Sequence, residues 1–470
     1  MLRIFAGGLA VILATIAVSA LIIARLPGAM VPDRNTSRTW LIEHATLFDP
    51  DAGTRQADVS VLVQDGRIAR IGPDGMSGID PDIPRIDAQG RTLMPGLIDM
   101  HVHVFDEVDL AAGLAVGVTT VRNMGGMPFH LPLAARIDAG RLYGPRLITT
   151  GAIINERGGR NTNLLHEVVS GGDEARAAVR RQYAAGFRHL KLYSNLSRES
   201  FAAIREEAAA LGMTISGHPV EGTQDDPLPF TDTLPAHFGT IEHTESIVWH
   251  GLSDNTDPDG ARALAQAVAA AGATVDPTLV VHENLARIVE TRGGHVLRPE
   301  MEGYNPVVAG FERDTFDFWS RYVHEDRTQM QAFYEAFTGM MHEAGVRLTV
   351  GSDSGIMASP HGVSTVREIE LLVRAGLTPL EAIRSATVHP ADVLGLDGKI
   401  GCVAVGCFAD LVLVDGDPLT SPSILYAPRG VMRDGRWLDR DALDALEAAG
   451  RQPSELRTWW RLGRHLLAIG

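Results

Sequence analysis

Short apolar runs alternate with helical stretches through most of this 470-residue chain, and several of the runs end on a side chain that could bind a metal ion. Strands that alternate with helices predict parallel pairing, and the repeats here predict a (β/α)8 barrel of the TIM type. The carboxyl ends of barrel strands meet at one face, where catalytic groups lie. The strand-end residues that we expect to share one metal site are His101, His103, Lys191, His218, His243 and Asp353.

The closely spaced pair His101 and His103 lies at the end of one such apolar run. Residues i and i+2 of a strand point to the same side, so both imidazoles can reach one ion. Taken alone, the pair is weak evidence, because two histidines on one strand face are often incidental. The residues that precede it, Met94-Pro95-Gly96-Leu97-Ile98-Asp99, make the signal much stronger.

Composition and charge narrow the class of protein. The chain is long enough to bury a large core, and 45% hydrophobic and 21% charged residues are ordinary for a globular protein. A formal net charge of -16 argues against a nucleic-acid partner. The two cysteines, Cys402 and Cys407, could pair in an oxidising compartment, but they are too few to define a disulfide framework.

The N-terminus carries an apolar segment at residues 4–24, without charges and flanked by Arg3 and Arg25. This length can span a bilayer as a helix. A secretory signal usually has a shorter apolar region, and no convincing cleavage site follows. An uncleaved anchor and a cleaved signal both stay open. We expect the folded body to be membrane-anchored on the periplasmic or extracellular side, or secreted if the segment is removed.

Strand-rich pieces at both ends of the chain predict a small β-sandwich into which the barrel is inserted. Asp65-Gly66 and Asp434-Gly435 predict tight hairpin turns in the two pieces. In chain order we expect a membrane anchor or signal at 1–27, a linker at 28–39, sandwich strands at 40–95, the barrel at 96–398, further sandwich strands at 399–440 and a helical tail at 441–470.

The tail predicts an amphipathic helix. The residues of its apolar face are Leu456, Trp459, Trp460, Leu466 and Leu467. The arginines interleaved with them are Arg457, Arg461 and Arg464. Such a helix can lie on a membrane surface. Its apolar face could instead dock on the chain's own sandwich or on a dimer partner, and the sequence leaves these alternatives open.

Residues 94–103 resemble the opening metal motif of the amidohydrolase superfamily. Other segments that fit the same family are residues 117–122, 241–243, 351–353 and 409–412. The resemblance extends from about residue 40 to residue 440. It is closest to the imidazolonepropionase-like subgroup, which includes metal-dependent Xaa-Pro dipeptidases, and it implies the same barrel inserted into a β-sandwich.

By this resemblance, His101, His103 and Asp353 hold one divalent ion, and His218 and His243 hold a second. Lys191, in Lys191-Leu192-Tyr193, would carry a carbamate that bridges the two ions. Zinc suits these ligands, with manganese and cobalt as alternatives.

The resemblance also implies the chemistry of the site. A water shared by the two ions would be acidified to a bridging hydroxide, the nucleophile, at neutral pH. Asp353 would take its proton, and Tyr193 would donate a hydrogen bond to the substrate carbonyl oxygen unless it only packs under the rim.

Four further residues are weaker candidates for substrate contacts: His282, Arg157, Arg160 and His361. The arginines could bind a carboxylate through two hydrogen bonds. Surface histidines and solvated loop arginines are the ordinary alternative for each.

The leading functional hypothesis is a binuclear metal-dependent hydrolase of amide C–N bonds, acting as a dipeptidase on Xaa-Pro or related dipeptides. The alternatives are a cyclic amide hydrolase of the imidazolonepropionase type, a deaminase, and an inactive membrane-tethered binding protein. Lys191 counts against a deaminase, since deaminases of this superfamily typically keep one ion and lack this lysine. We expect a small-molecule or dipeptide substrate, and a homo-oligomer is left open.

Overall fold

The computed structural model describes residues 37–157, 164–234, 238–322 and 326–469, apart from the side chains of residues 326 and 327. The apolar N-terminal segment and most of the expected linker lie outside these residues, so the expected membrane location stays a prediction. Within the described ranges, no helix has both the length and the apolar character needed to cross a membrane.

The first strands of the chain belong to a mixed sheet. They are β1 (Trp40–Asp49), β2 (Thr54–Gln64), β3 (Arg67–Pro73), β4 (Arg85–Asp87) and β5 (Thr92–Pro95). β2 and β3 pair antiparallel around Asp65-Gly66, where both residues have positive φ, as a tight hairpin turn requires. The predicted turn is therefore confirmed.

The middle of the chain supplies the parallel strands of the barrel. They are β6 (Leu97–Val102), β7 (Val118–Asn123), β8 (Arg146–Glu156), β9 (Glu167–Val169), β10 (His189–Leu192), β11 (Thr214–Gly217), β12 (Phe238–Glu242), β13 (Thr274–Asp276) and β14 (Arg347–Leu348). They pair in chain order, with β9 added beside β8. The Met100 amide donates to the Val350 carbonyl (2.8 Å) and the His103 amide to the Ser354 carbonyl (2.7 Å), which joins the first strand to the last. The predicted barrel is confirmed.

Helices connect these strands. They are α1 (Glu107–Ala115), α2 (His130–Asp138), α3 (Gly171–Ala184), α4 (Arg198–Leu211), α5 (Phe230–Thr233), α6 (Thr244–Leu252), α7 (Pro258–Ala270), α8 (Leu279–Glu290), α9 (Pro306–Arg321), α10 (Asp326–Glu343), α11 (Val363–Arg374), α12 (Pro379–Ser385) and α13 (Val388–Val393). Asp106 caps α1 in a reciprocal capping box with Asp109. The long connection between β13 and β14 is helical, with α9 and α10 added after α8.

The end of the chain returns to the first sheet. It contains β15 (Leu411–Val414), β16 (Gly430–Arg433), β17 (Arg436–Asp439), α14 (Arg440–Gly450) and α15 (Glu455–Ile469). β15 pairs antiparallel with β5, so both chain ends form one continuous sheet in the order β17-β16-β15-β5-β1-β2-β3, with β4 on β1. Cys402 and Cys407 form a disulfide in the loop before β15.

β15 is buried on both faces, and this explains its unbroken apolar sequence. Leu411 and Leu413 belong to the core of the sheet, whereas Val412 belongs to the larger core that contains the barrel. Successive side chains of a strand point to opposite faces. The strand therefore fastens the sheet built from the chain ends to the barrel.

α15 docks through a different face from the apolar one. Its buried residues are Arg457, Thr458, Leu462 and His465, whereas Leu456, Trp459, Leu466 and Leu467 are exposed. The alternative in which the apolar face docks on the chain's own sandwich is therefore wrong. Buried carboxylates need charged partners, and the arginines of α15 provide them for Asp106 and Glu107.

Candidate metal centre

The six predicted ligands lie together at the carboxyl ends of the barrel strands. His101 is in β6 and Lys191 in β10, while the remaining four, His103, His218, His243 and Asp353, follow the ends of β6, β11, β12 and β14. Because the strands are parallel and neighbouring, their ends bring these distant segments to one point.

The first group of side chains surrounds one carboxylate oxygen. Asp353 Oδ1 lies 3.0 Å from His103 Nε2 and 3.3 Å from His101 Nε2. These three residues offer ligand atoms close enough for one ion. The Lys191 Nζ atom lies 3.5 Å from His101 Nε2. The lysine therefore borders the group that the sequence assigned to the first ion.

The second group lies beside the first. The ring centroids of His218 and His243 are 4.4 Å apart, and that of His101 is 4.7 Å from that of His243. Burial lowers the pKa of all three imidazoles well below the ordinary histidine value. They are therefore neutral at pH 7, and a ring nitrogen of each has a lone pair that can bind a cation.

Each of these histidines is held through its other ring nitrogen. Hydrogen bonds join His101 Nδ1 to Glu242 Oε2 (2.7 Å), His218 Nδ1 to Ser246 Oγ (3.1 Å) and His243 Nδ1 to Thr278 Oγ1 (2.7 Å). Metal-binding histidines are usually oriented in this way, through a partner on the nitrogen that does not bind the ion.

The residues fit a divalent cation. Within the described part of the chain, the buried Asp353 Oδ1 accepts no hydrogen bond of good geometry, although it faces two imidazole nitrogens. A buried oxygen without a partner is costly, and a cation would satisfy it. Burial works against the charged form of Asp353, but His101, His103 and Lys191 around it hold its pKa below the ordinary value.

Two of the ligands stand on strained backbone. His243 has φ of 68° and Asp353 has φ of 49°, in the left-handed region that residues other than glycine seldom adopt. Such conformations cost about 1–3 kcal/mol each and cluster at functional sites. Here they occur directly after β12 and in the loop that follows β14.

Tyr193 lies beside the second group of ligands. Its ring centroid is 4.1 Å from that of His218 and 4.7 Å from that of His166. Burial raises the pKa of the Tyr193 phenol, so the hydroxyl keeps its proton and can donate a hydrogen bond. His166 was not predicted for the site; it lies far from the ligand motifs in sequence, and only the folded chain brings it to Tyr193.

The weaker candidates lie in different environments. His282 packs edge to face on Tyr334 and lies 3.9 Å from Glu245. His361 is almost buried, and its Nε2 lies 3.8 Å from Asp109 Oδ2 in α1. Arg157 is exposed at the end of β8. Arg160 lies outside the described residues.

Sequence reasoning missed the charged layer beneath the ligands. Arg122 Nη2 donates to Glu242 Oε1 (2.9 Å), and Glu242 in turn holds His101. Asp276 is fully buried beside Glu242, and within the described residues neither of its carboxylate oxygens accepts a hydrogen bond. Burial and the nearby Glu242 raise the pKa of Asp276 well above the ordinary value. The available signals were Glu242, directly before His243, and Arg122, at the end of the segment 117–122 that fits the family.

Comparisons with known proteins show which family has this arrangement. Residues 92–438 match the Amidohydrolase family. The adenine deaminase of Paracoccus denitrificans (strain Pd 1222) is 23% identical over 425 residues, which cover 80% of this chain and 58% of that enzyme, so the chain spans less than two thirds of this relative.

Two solved structures have the same fold. Bottromycin amidohydrolase has a TM-score of 0.70 and 26% identity, covering 90% of this chain and 93% of its own. A Xaa-Pro dipeptidase with bound methionine has a TM-score of 0.67 and 22% identity, covering 85% of this chain and 100% of its own. With the family match extending over most of its length, this chain belongs to the amidohydrolase family and is a hydrolase that acts on C–N bonds.

Proposed function

We propose that this protein is a binuclear metal-dependent dipeptidase that hydrolyses the amide bond of Xaa-Pro or related dipeptides. The observation that carries the proposal is the position of Lys191. Its side chain is 1% exposed, and its amine lies beside the ligand nitrogen of His101. An ammonium there would repel a cation, whereas a carbamate would bind one. The lysine therefore favours a two-ion site.

The chemistry of Lys191 suits carbamate formation. Burial lowers the pKa of its amine to about 8. At neutral pH it therefore has a larger neutral fraction than an ordinary lysine, and the neutral amine is the form that attacks carbon dioxide. The product is an anion with two oxygens, long enough to reach both groups of histidines.

The remaining residues have complementary tasks. His101, His103 and Asp353 would hold one ion and His218 and His243 the other, with Lys191 between them. Two divalent ions, best matched by zinc, would acidify a water molecule and polarise the substrate carbonyl. Asp353 would accept the proton of that water and pass it to the leaving nitrogen. Tyr193 would donate a hydrogen bond to the carbonyl oxygen as negative charge develops on it.

A dipeptide screen tests the proposal. Zinc-loaded protein in bicarbonate buffer is assayed against dipeptides, including an Xaa-Pro series, and against cyclic amides and adenine. We expect cleavage of dipeptides and its loss when a chelator removes the zinc. Cleavage of cyclic amides without dipeptides would reject the peptidase assignment. Release of ammonia from adenine would favour the second candidate, a deaminase, which the adenine deaminase relative supports.

Replacing Tyr193 with phenylalanine tests the role of its hydroxyl. We expect kcat to fall by about 10²–10³-fold, the cost of losing one donor to a developing oxyanion, with the zinc content unchanged. Tyr183→Phe is the matched control, because Tyr183 lies on α3 and stacks on Arg188. If Tyr193→Phe kept the wild-type kcat, the residue would only pack beneath the rim.

A further inference from the structure

The C-terminal helix α15 lies beyond the residues that match the family, which end at residue 438. It packs on the loop that follows the ligand His103. Arg457 Nη1 donates to Glu107 Oε2 (2.6 Å), and Arg461 Nη1 donates to the Phe105 carbonyl (3.0 Å). The guanidinium groups thus fasten the helix to the catalytic face of the barrel.

The long connection before β14 meets α15 at the same place. Asn305 Nδ2, just before α9, donates to Thr458 Oγ1 (2.9 Å), and both residues are buried. The apolar cluster between these segments and the loop after His103 contains Phe105, Met127, Tyr304, Val307, Val308 and Leu462. Together with this connection, α15 therefore covers part of the catalytic face.

One side chain of α15 reaches a cavity beside the metal ligands. His465 is 2% exposed, and its Nε2 donates to the Leu165 carbonyl (2.8 Å). The residues around the cavity include His103, Phe105, Met127, Ile153, Leu165 and His465. At Gly125, also in the wall, an added Cβ atom would lie 3.1 Å from His103 Nδ1, so a glycine there keeps the space open.

The size and lining of the cavity limit what it can hold. Its volume is about 40 Å³, enough for roughly three water molecules at about 10–15 Å³ each, or for a side chain of a few carbon atoms. Apart from its two histidines, the described residues of the wall are apolar. A charged group would lose its hydration there and would meet no acidic, lysine or arginine side chain among these residues, so the cavity suits a small uncharged group.

We propose that α15 is a wall of the substrate pocket and that His465 limits the substrate group beside His103 to a small uncharged side chain. The proposal rests on the metal site and deepens the proposed dipeptidase function, since it assigns a size limit to one residue of the dipeptide. In this role His465 determines specificity and takes no part in the hydrolysis itself.

Hydroxamates of increasing acyl size test the proposal without requiring turnover, because the hydroxamate group chelates zinc and holds the acyl group beside the ligands. Binding of acetohydroxamate, butyrohydroxamate and benzohydroxamate to the zinc-loaded full chain is measured by calorimetry. For the wild type we expect affinity to fall with acyl size. His465→Ala should raise the affinity for benzohydroxamate about tenfold and leave acetohydroxamate nearly unchanged, within the range seen when a pocket gains space.

His389→Ala is the matched control, because His389 also hydrogen-bonds a backbone carbonyl, that of Leu348 (2.9 Å), and does not line the cavity. It should keep the wild-type order of affinities. If His465→Ala does not fold, His465→Phe replaces it. For His465→Phe we expect the affinity to fall more steeply with acyl size than it does for the wild type. Equal wild-type affinity across the series, or an equal change for every hydroxamate in the variant, would overturn the proposal.

The dipeptide series then separates this inference from the proposed function. In wild type, kcat/KM should fall as the residue at one of the two positions of the dipeptide is enlarged from alanine to leucine and phenylalanine, and His465→Ala should relax the limit at that position. Size-dependent hydroxamate binding without cleavage of any dipeptide would reject the dipeptidase while supporting the pocket wall.

Discussion

Replacing Lys191 with alanine will lower the zinc content from two ions per chain to one or none, and it will reduce kcat about a thousandfold or more. The Lys191 amine lies 3.5 Å from His101 Nε2 and is near enough to His218 and His243 to lower the pKa of both imidazoles. Without a bridging anion, the cations and the neutral imidazoles lack the negative charge that holds two ions close together. Losing a preorganised charge-stabilising group typically costs about 10²–10³-fold, and lost metal adds to that.

The composition of the chain makes this experiment unusually clean. Lys191 and Lys399 are the only lysines in the sequence, and Lys399 is exposed. Protein equilibrated with 13C-bicarbonate should give one carbamate resonance in the wild type and in Lys399→Ala, and none in Lys191→Ala. A short carboxylic acid such as propionate should restore part of the activity of Lys191→Ala by occupying the vacated space. Two bound zinc ions and full activity in Lys191→Ala would rule out the carbamate bridge.

The barrel and its ligands could be predicted because their signals are local. Each ligand follows an apolar run, and the ends of parallel strands meet whatever their distance along the chain. The turn at Asp65-Gly66 was predictable for the same reason, since two adjacent residues determine it. Local patterns of this kind also placed Lys191 beside His101, although the two are 90 residues apart.

The supporting residues depend on pairings that sequence spacing does not encode. Glu242 holds His101 from 141 residues away, and Arg122 reaches Glu242 across 120 residues. A buried carboxylate and a buried guanidinium can each satisfy several partners, so nothing in either local segment specifies the pair. Asp276 ends β13, and its raised pKa follows from burial beside Glu242.

The tail shows the same limit on a larger scale. Hydrophobic periodicity left open whether the apolar face of the helix would lie on a membrane or dock on a protein surface, and such a face docks where the surface beneath it is apolar. Here the surface beneath carries Asp106 and Glu107, both almost fully buried. Leaving these buried charges unpaired would cost several kcal/mol. That cost exceeds the cost of leaving the tryptophan of the outer face in contact with water. Trp459 is accordingly 53% exposed.

Replacing Asp353 with asparagine will reduce kcat by about 10²–10⁴-fold, the usual contribution of general acid–base catalysis, while most of the bound zinc remains. The amide keeps the size of the side chain and an oxygen that can bind the ion, but it cannot accept a proton. Asparagine also tolerates the left-handed backbone that this position requires, at φ of 49°. The substitution therefore removes the proton acceptor with little change in structure.

Asp65→Asn is the matched control for that substitution. Asp65 has a similar backbone conformation, with φ of 51°, but lies in the exposed turn between β2 and β3. It should leave kcat, zinc content and melting temperature unchanged. Zinc is measured by atomic absorption on the same samples that are assayed, because the two roles of Asp353 then separate. Loss of zinc together with activity would make Asp353 chiefly a ligand, and full activity with zinc retained would exclude it as the proton acceptor. We expect a large fall in kcat at constant zinc content. The reason is the position of Asp353 Oδ1, which faces two imidazole nitrogens and accepts no good hydrogen bond from the described residues.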